Sequence, residues 1–180
     1  MNKYIKEKCN LDEDTKEWAV LKLSAFYKDE YKEKLSEIEI IDSYCCAMNL
    51  ICDQILNELS TNMIILKNYS FNIPYLFICR HLIELILKRA IEKRTNKVET
   101  GHNILNLWKK CKNHYKDIEE ELNYYNELID TIDLLDNNGE KFRYTKDKNG
   151  NQYESKQLFI NVNLIREDIN KLKEILLKSL

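Results

Sequence analysis

Between Ile78 and Ala90 the chain reads Ile-Cys-Arg-His-Leu-Ile-Glu-Leu-Ile-Leu-Lys-Arg-Ala. On a helix turning about 100° per residue, Arg80, His81, Glu84 and Lys88 fall within an arc of about 100°. Phe77 and Ile91 share that arc, and the rest of the surface in this stretch is almost wholly apolar. A helix that is apolar nearly all round belongs at the centre of a bundle. Its polar stripe then needs partners, because a buried charge is costly unless paired. Glu84 stands four residues from both Arg80 and Lys88 and can bridge them. On one reading the stripe lines a polar pocket or dimer groove centred on Arg80, His81 and Glu84. On the other it is the solvent face of the helix, with ordinary ion pairs.

The sequence around this helix predicts more helices. A first is expected from Asp12 or Asn10 to about Ser36, and a second from about Glu37 to Leu59, where Ile41, Cys45, Met48, Cys52, Ile55 and Leu59 step by three or four. The central helix is expected over about 73–94, with Pro74 in its first turn, where a missing N–H does no harm. A short helix over about 103–113 and a longer one over about 117–136 follow, the latter ended by Asn137-Asn138-Gly139. A last helix is expected over about 163–178. In between, Asn149-Gly150 flanked by Phe142-Arg143-Tyr144 and Gln152-Tyr153-Glu154 is a hairpin signal, and a small two-stranded excursion is expected near 141–160.

Composition agrees. The 180 residues are 44% hydrophobic and carry a formal net charge of −2, which suits a folded core and argues against disorder. Three Gly and one Pro are too few for a many-stranded sandwich or barrel. The fold class expected is all-α, as a single domain over 1–180. Met1 to Asn10 has no apolar run, and the stretch from Tyr75 to Leu87 is too short and too polar to span a bilayer. The expectation is a cytoplasmic protein with no membrane association. Six cysteines include no Cys-x-x-Cys pair, so reduced, mostly buried thiols are expected and no metal or cofactor.

Charge is unevenly spread. Lys88 to Lys116 holds nine Lys or Arg and two Glu, whereas Asp117 to Asp136 holds eight Asp or Glu and no Lys or Arg. Lys141, Arg143, Lys146 and Lys148 turn the chain basic again. Basic residues interleaved with Trp108, Tyr115, Phe142 and Tyr144 would suit a phosphate backbone with stacked bases. Pairing of basic with acidic helices would account for the same pattern. His102 follows Gly101 at a helix start, where it can serve as a packing residue or as part of a pocket wall. His114 stands three residues after Cys111, with nothing to orient a thiol–imidazole pair. No phosphate-binding Gly-rich loop, zinc-protease or serine-hydrolase motif is present.

The segment from Arg80 to Ala90 resembles a helix of HEPN domains (higher eukaryotes and prokaryotes nucleotide-binding), in which Glu-x-x-x-Lys-Ala is followed by a loop and His-Asp/Asn-Leu/Ile-x-x-Leu. Glu84 and Lys88 match, with Ala90 one position late, and His102-Asn103-Ile104-x-x-Leu107 matches the second part. Phe142-Arg143-Tyr144 with Asp147 and Gly150 resembles a further element of such proteins, with Thr145 where Pro is common. The resemblance spans about residues 70–180. It implies a helical bundle, usually dimeric. Many members are metal-independent endoribonucleases of phage defence or toxin–antitoxin systems, with an Arg-x(4–6)-His site doubled across the dimer. None of His81, His102 and His114 follows an Arg at that spacing.

A variant site is therefore expected. Arg80, His81 and Arg143 are its candidate catalytic residues, Arg143 steadying a phosphate and His81 acting as general acid or base. Glu84, Lys88, His102 and Tyr144 are its candidate binding residues. The expected function is RNA targeting by a homodimer. The alternative is a non-catalytic module that binds a nucleotide or a regulatory protein partner.

Overall fold

A computed structural model describes residues 36–60, 69–137, 139–144, 146, 149–152 and 160–178, with 58–60, 69, 70 and 178 described by backbone alone. The expected helix ending near Ser36 lies outside these residues. Those from Glu37 on form one unit built of α1 (Glu37–Ser60), α2 (Tyr69–Thr95), α3 (Ile104–His114), α4 (Glu119–Asn123), α5 (Asn126–Leu135) and α6 (Val162–Lys178). The fold is all-α, and no strand occurs among the described residues. No helix among them is long and apolar enough to cross a membrane.

Helix α2 is the axis. It packs against α1, α3, α5 and α6, and Leu82, Ile83, Ile86 and Leu87 are completely buried around it. Each such side chain contributes about 1.5–3 kcal/mol by leaving water. The apolar ladder of α1 turns Ile41, Met48, Cys52 and Ile55 into the same core, and α6 adds Ile169, Leu172 and Leu176. Cys45, Cys52, Cys79 and Cys111 are buried free thiols and Cys46 is exposed. Burial pushes the Cys79 and Cys111 thiols up to about 12, so both remain protonated small hydrophobes.

The C-terminal end of α6 shows how the bundle closes. Its last carbonyls have no intrahelical donor. Lys93 Nζ of α2 donates to the Leu177 carbonyl at 3.0 Å. The buried Tyr115 hydroxyl lies 3.3 Å from the Leu176 carbonyl and 3.2 Å from that of Ala90, and its one proton serves one of them at a time. Tyr115→Phe leaves the Leu176 carbonyl without this donor. Thermal or urea unfolding is expected to show a loss of about 1–2 kcal/mol, and an unchanged midpoint would refute this closure.

Two expectations need correction. Helix α2 starts at Tyr69, four residues earlier than expected, so Pro74 lies inside the helix and removes one rung of its ladder. The added turn places Phe71 against the core, which accounts for the longer helix. The helix expected over 117–136 is broken. A 3₁₀ turn (Lys116–Ile118) leads into α4, and α4 and α5 are separated at Tyr124-Tyr125 by i→i+3 bonds of 3.3 and 2.9 Å. The break lets Leu122 and Tyr125 bury together with Leu128, Ile129 and Ile132 of α5. Of the hairpin expected near 141–160, residues 145, 147, 148 and 153–159 lie outside the described residues; among the described ones Lys146 and Gln152 form an antiparallel bridge, with Gly150 at φ +84°.

Candidate functional site

Arg80 leaves α2 in the middle of its buried length and is 2% exposed. Its Nε donates to the Asp136 carbonyl at 3.1 Å, Nη1 to Glu84 Oε2 at 3.0 Å, and Nη2 to the His102 carbonyl at 2.6 Å. One side chain thus ties α2 to the end of α5 and to the loop before α3. The polar stripe is therefore not a solvent face, and its partners come from the same chain.

Glu84, one turn on, is the hub. Its Oε1 accepts from Lys88 Nζ at 2.8 Å and lies 2.8 Å from His102 Nδ1. Burial pushes this carboxyl up. The hydrogen bonds from Lys88, His102 and Arg80 and the Lys88 charge outweigh burial and hold it below the usual carboxylate value. Glu84 is ionised at neutral pH and accepts only. His102 Nδ1 must then carry the proton of this bond.

The loop that presents His102 is anchored locally. Asn103 caps α3, its Oδ1 accepting from the Asn106 N–H at 2.8 Å. On the opposite side, Asp136 Oδ1 accepts the N–H groups of Glu140 and Lys141 at 2.8 and 3.1 Å and turns the chain after α5. Gly139 sits in that turn at φ +69°, a conformation only glycine adopts easily. A Cβ at Gly139 would stand 3.6 Å from Nη2 of both Arg80 and Arg143, so the turn brings the two guanidiniums to one place. Arg143 itself is exposed, and its Nε donates to the Gly139 carbonyl at 2.5 Å.

His81 is half-buried, stacked parallel to Phe77 with centroids 6.0 Å apart and edge-on to Tyr44 at 4.9 Å. Burial lowers its pKa below the ordinary 6.5. The Glu84 charge opposes this, while Arg80, Lys88 and Arg143 add to it. The ring is neutral at pH 7.

These side chains border one cavity of about 520 Å³, lined by Arg80, His81, Glu84, His102 and Arg143 together with Phe77, Asn103, Asn137, Gly139 and Glu140. Two of the residues singled out in the sequence stand apart. Lys88 holds Glu84 from outside the lining. Tyr144 is exposed beside the Arg143 guanidinium, 5.6 Å from ring centroid to guanidinium carbon. Sequence reasoning gave Asp136 and Gly139 only as the end of a helix, and it missed Tyr44. An Asp directly before Asn-Asn-Gly was a turn signal for the first two, but nothing pointed to Tyr44. Basic and acidic segments meet at the Arg94–Asp117 pair, 3.3 Å apart. Among the described residues no group of three His, Cys, Asp or Glu side chains could hold a metal ion.

No curated protein and no solved structure matches this chain. The family model of the HEPN domain matches residues 65–174, which takes in α2 to α5, most of α6 and every residue of the cavity wall. With more than half of its length matched, the chain belongs to the HEPN domain family.

Proposed function

We propose that this chain is an RNA-targeting HEPN protein whose cavity takes a phosphodiester and cleaves it without a metal ion, in phage defence or a toxin–antitoxin system, as a homodimer. The RNA 2′-hydroxyl attacks the adjacent phosphorus, leaving a 2′,3′-cyclic phosphate and a free 5′-hydroxyl. The observation that carries this reading is the presence of His81, His102 and Arg143 around one cavity. Such a reaction needs a group to take the 2′ proton, one to protonate the leaving oxygen, and a cation for the phosphorane charge. His81 is the base, already neutral at pH 7. Arg143 is the solvent-facing guanidinium and offers the bidentate fork that suits a phosphate. Arg80 acts differently from a phosphate ligand, because each of its three nitrogens already donates inside the protein. It positions Glu84 and the His102 loop.

The test is incubation of the purified chain with RNA in the presence of a chelator, with product ends identified by mass. Because burial lowers the His81 pKa, its base form persists at acidic pH. At pH 6.5 an ordinary histidine is half protonated, whereas the protein is expected to keep more than half of its plateau rate. His81→Asn is expected to abolish that acid limb together with most of the activity. A limb centred at or above 6.5, or one that survives in His81→Asn, would remove His81 from the role.

The second reading, a non-catalytic module that binds a nucleotide or a protein partner, is favoured by the absence of the Arg-x(4–6)-His spacing. Salt-sensitive RNA affinity with no cleavage would select RNA binding over catalysis.

A further inference from the structure

We propose that His102 is the group that protonates the departing 5′-oxygen, and that Glu84 is its positioning residue; this deepens the ribonuclease reading and rests on it. His102 is held twice from one helix. Arg80 Nη2 grips its carbonyl at 2.6 Å, and Glu84 Oε1 stands 2.8 Å from its Nδ1. Yet the imidazole is 73% exposed, while the Glu84 side chain is 9% exposed. Capping α3 does not require this arrangement, because Asn103 supplies the cap. Stability does not require it either, since apolar residues fill buried positions at lower cost than a charged cluster.

A carboxylate on Nδ1 fixes the ring's tautomer and orientation and leaves Nε2 as the atom that gains and loses a proton. The ring that carries it is largely exposed and lies at the wall of the cavity that also holds His81 and Arg143. The division of labour follows from environment. His81, half-buried between Tyr44 and Phe77, takes the 2′ proton as the 2′-oxygen–phosphorus bond forms. His102 gives its Nε2 proton to the 5′-oxygen as the phosphorus–oxygen bond breaks. One proton enters and one leaves, and solvent restores both rings.

The experiment compares two oligoribonucleotides, one ordinary and one with sulfur replacing the bridging 5′-oxygen at the scissile bond. A thiolate leaves without protonation, so the sulfur substrate has no need of an acid. With the full chain, His102→Asn is expected to slow the ordinary substrate by about 10²–10⁴-fold and to cleave the sulfur substrate near the wild-type rate. His81→Asn is expected to be slow on both. Glu84→Gln should follow the His102→Asn pattern in weaker form, a selectivity that a purely structural role would not produce. His102→Asn matching wild type on ordinary RNA, or failing equally on both substrates, overturns the assignment to His102 and leaves the ribonuclease reading standing. A wild-type chain that cleaves neither substrate overturns the ribonuclease reading itself.

Discussion

Glu84→Ala is expected to lower the unfolding free energy by about 3–5 kcal/mol, read from urea denaturation. The loss comes from what remains behind. Arg80 is 2% exposed, and removing Glu84 strips the carboxylate from a charge that has little access to water. Its other acceptors, the carbonyls of Asp136 and His102, are dipoles and do not neutralise it. Lys88→Ala is the control. Lys88 is partly exposed, its cation is solvated when unpaired, and a loss of at most about 1 kcal/mol is expected. Equal effects from the two substitutions, or a loss below about 1 kcal/mol for Glu84→Ala, would show that the Arg80–Glu84 pair does not organise this end of the bundle.

Arg143→Ala is expected to slow RNA cleavage by about 10²–10³-fold, the usual consequence of deleting a donor aimed at developing negative charge. Stability should change by no more than about 0.5 kcal/mol, because the side chain is exposed and its described backbone contact is one bond to the Gly139 carbonyl. Arg143→Lys should restore part of the rate, since a point charge remains but the fork is lost. An Arg143→Ala protein as active as wild type would take Arg143 out of the reaction. A large drop in stability would mean instead that its contact with the 139 turn supports the fold. The two measurements together separate chemistry from architecture, which Arg80 substitutions cannot do.

Much of the fold was legible because α2 combines a continuous apolar surface with a narrow polar stripe, and only a central helix suits that pattern. The i, i+4 spacing of Arg80, Glu84 and Lys88 predicted the bridge that forms. Elements whose boundaries depend on tertiary packing were less legible. The break at Tyr124-Tyr125 follows from the need to bury residues on two faces, and the extra turn before Pro74 follows from the seat that Phe71 finds on the core. Local propensity holds no record of either. The 149–150 turn signal agrees with the antiparallel Lys146–Gln152 bridge that spans it.

For the site, the sequence by itself determined which residues were chemically able to act and that Arg80, Glu84 and Lys88 shared one helical face. Helical periodicity is a local property and is written every three or four residues. Only the tertiary structure decided which of these residues is buried and which meets solvent. It consumed Arg80 internally, left Arg143 at the surface, and joined His102 to Glu84 across 18 positions of chain. Such contacts depend on how the 102 loop and the residues Asp136, Gly139 and Arg143 come back to α2. That path is set by the Asn103 cap, the Asp136 turn and the left-handed Gly139, which together converge on one buried guanidinium.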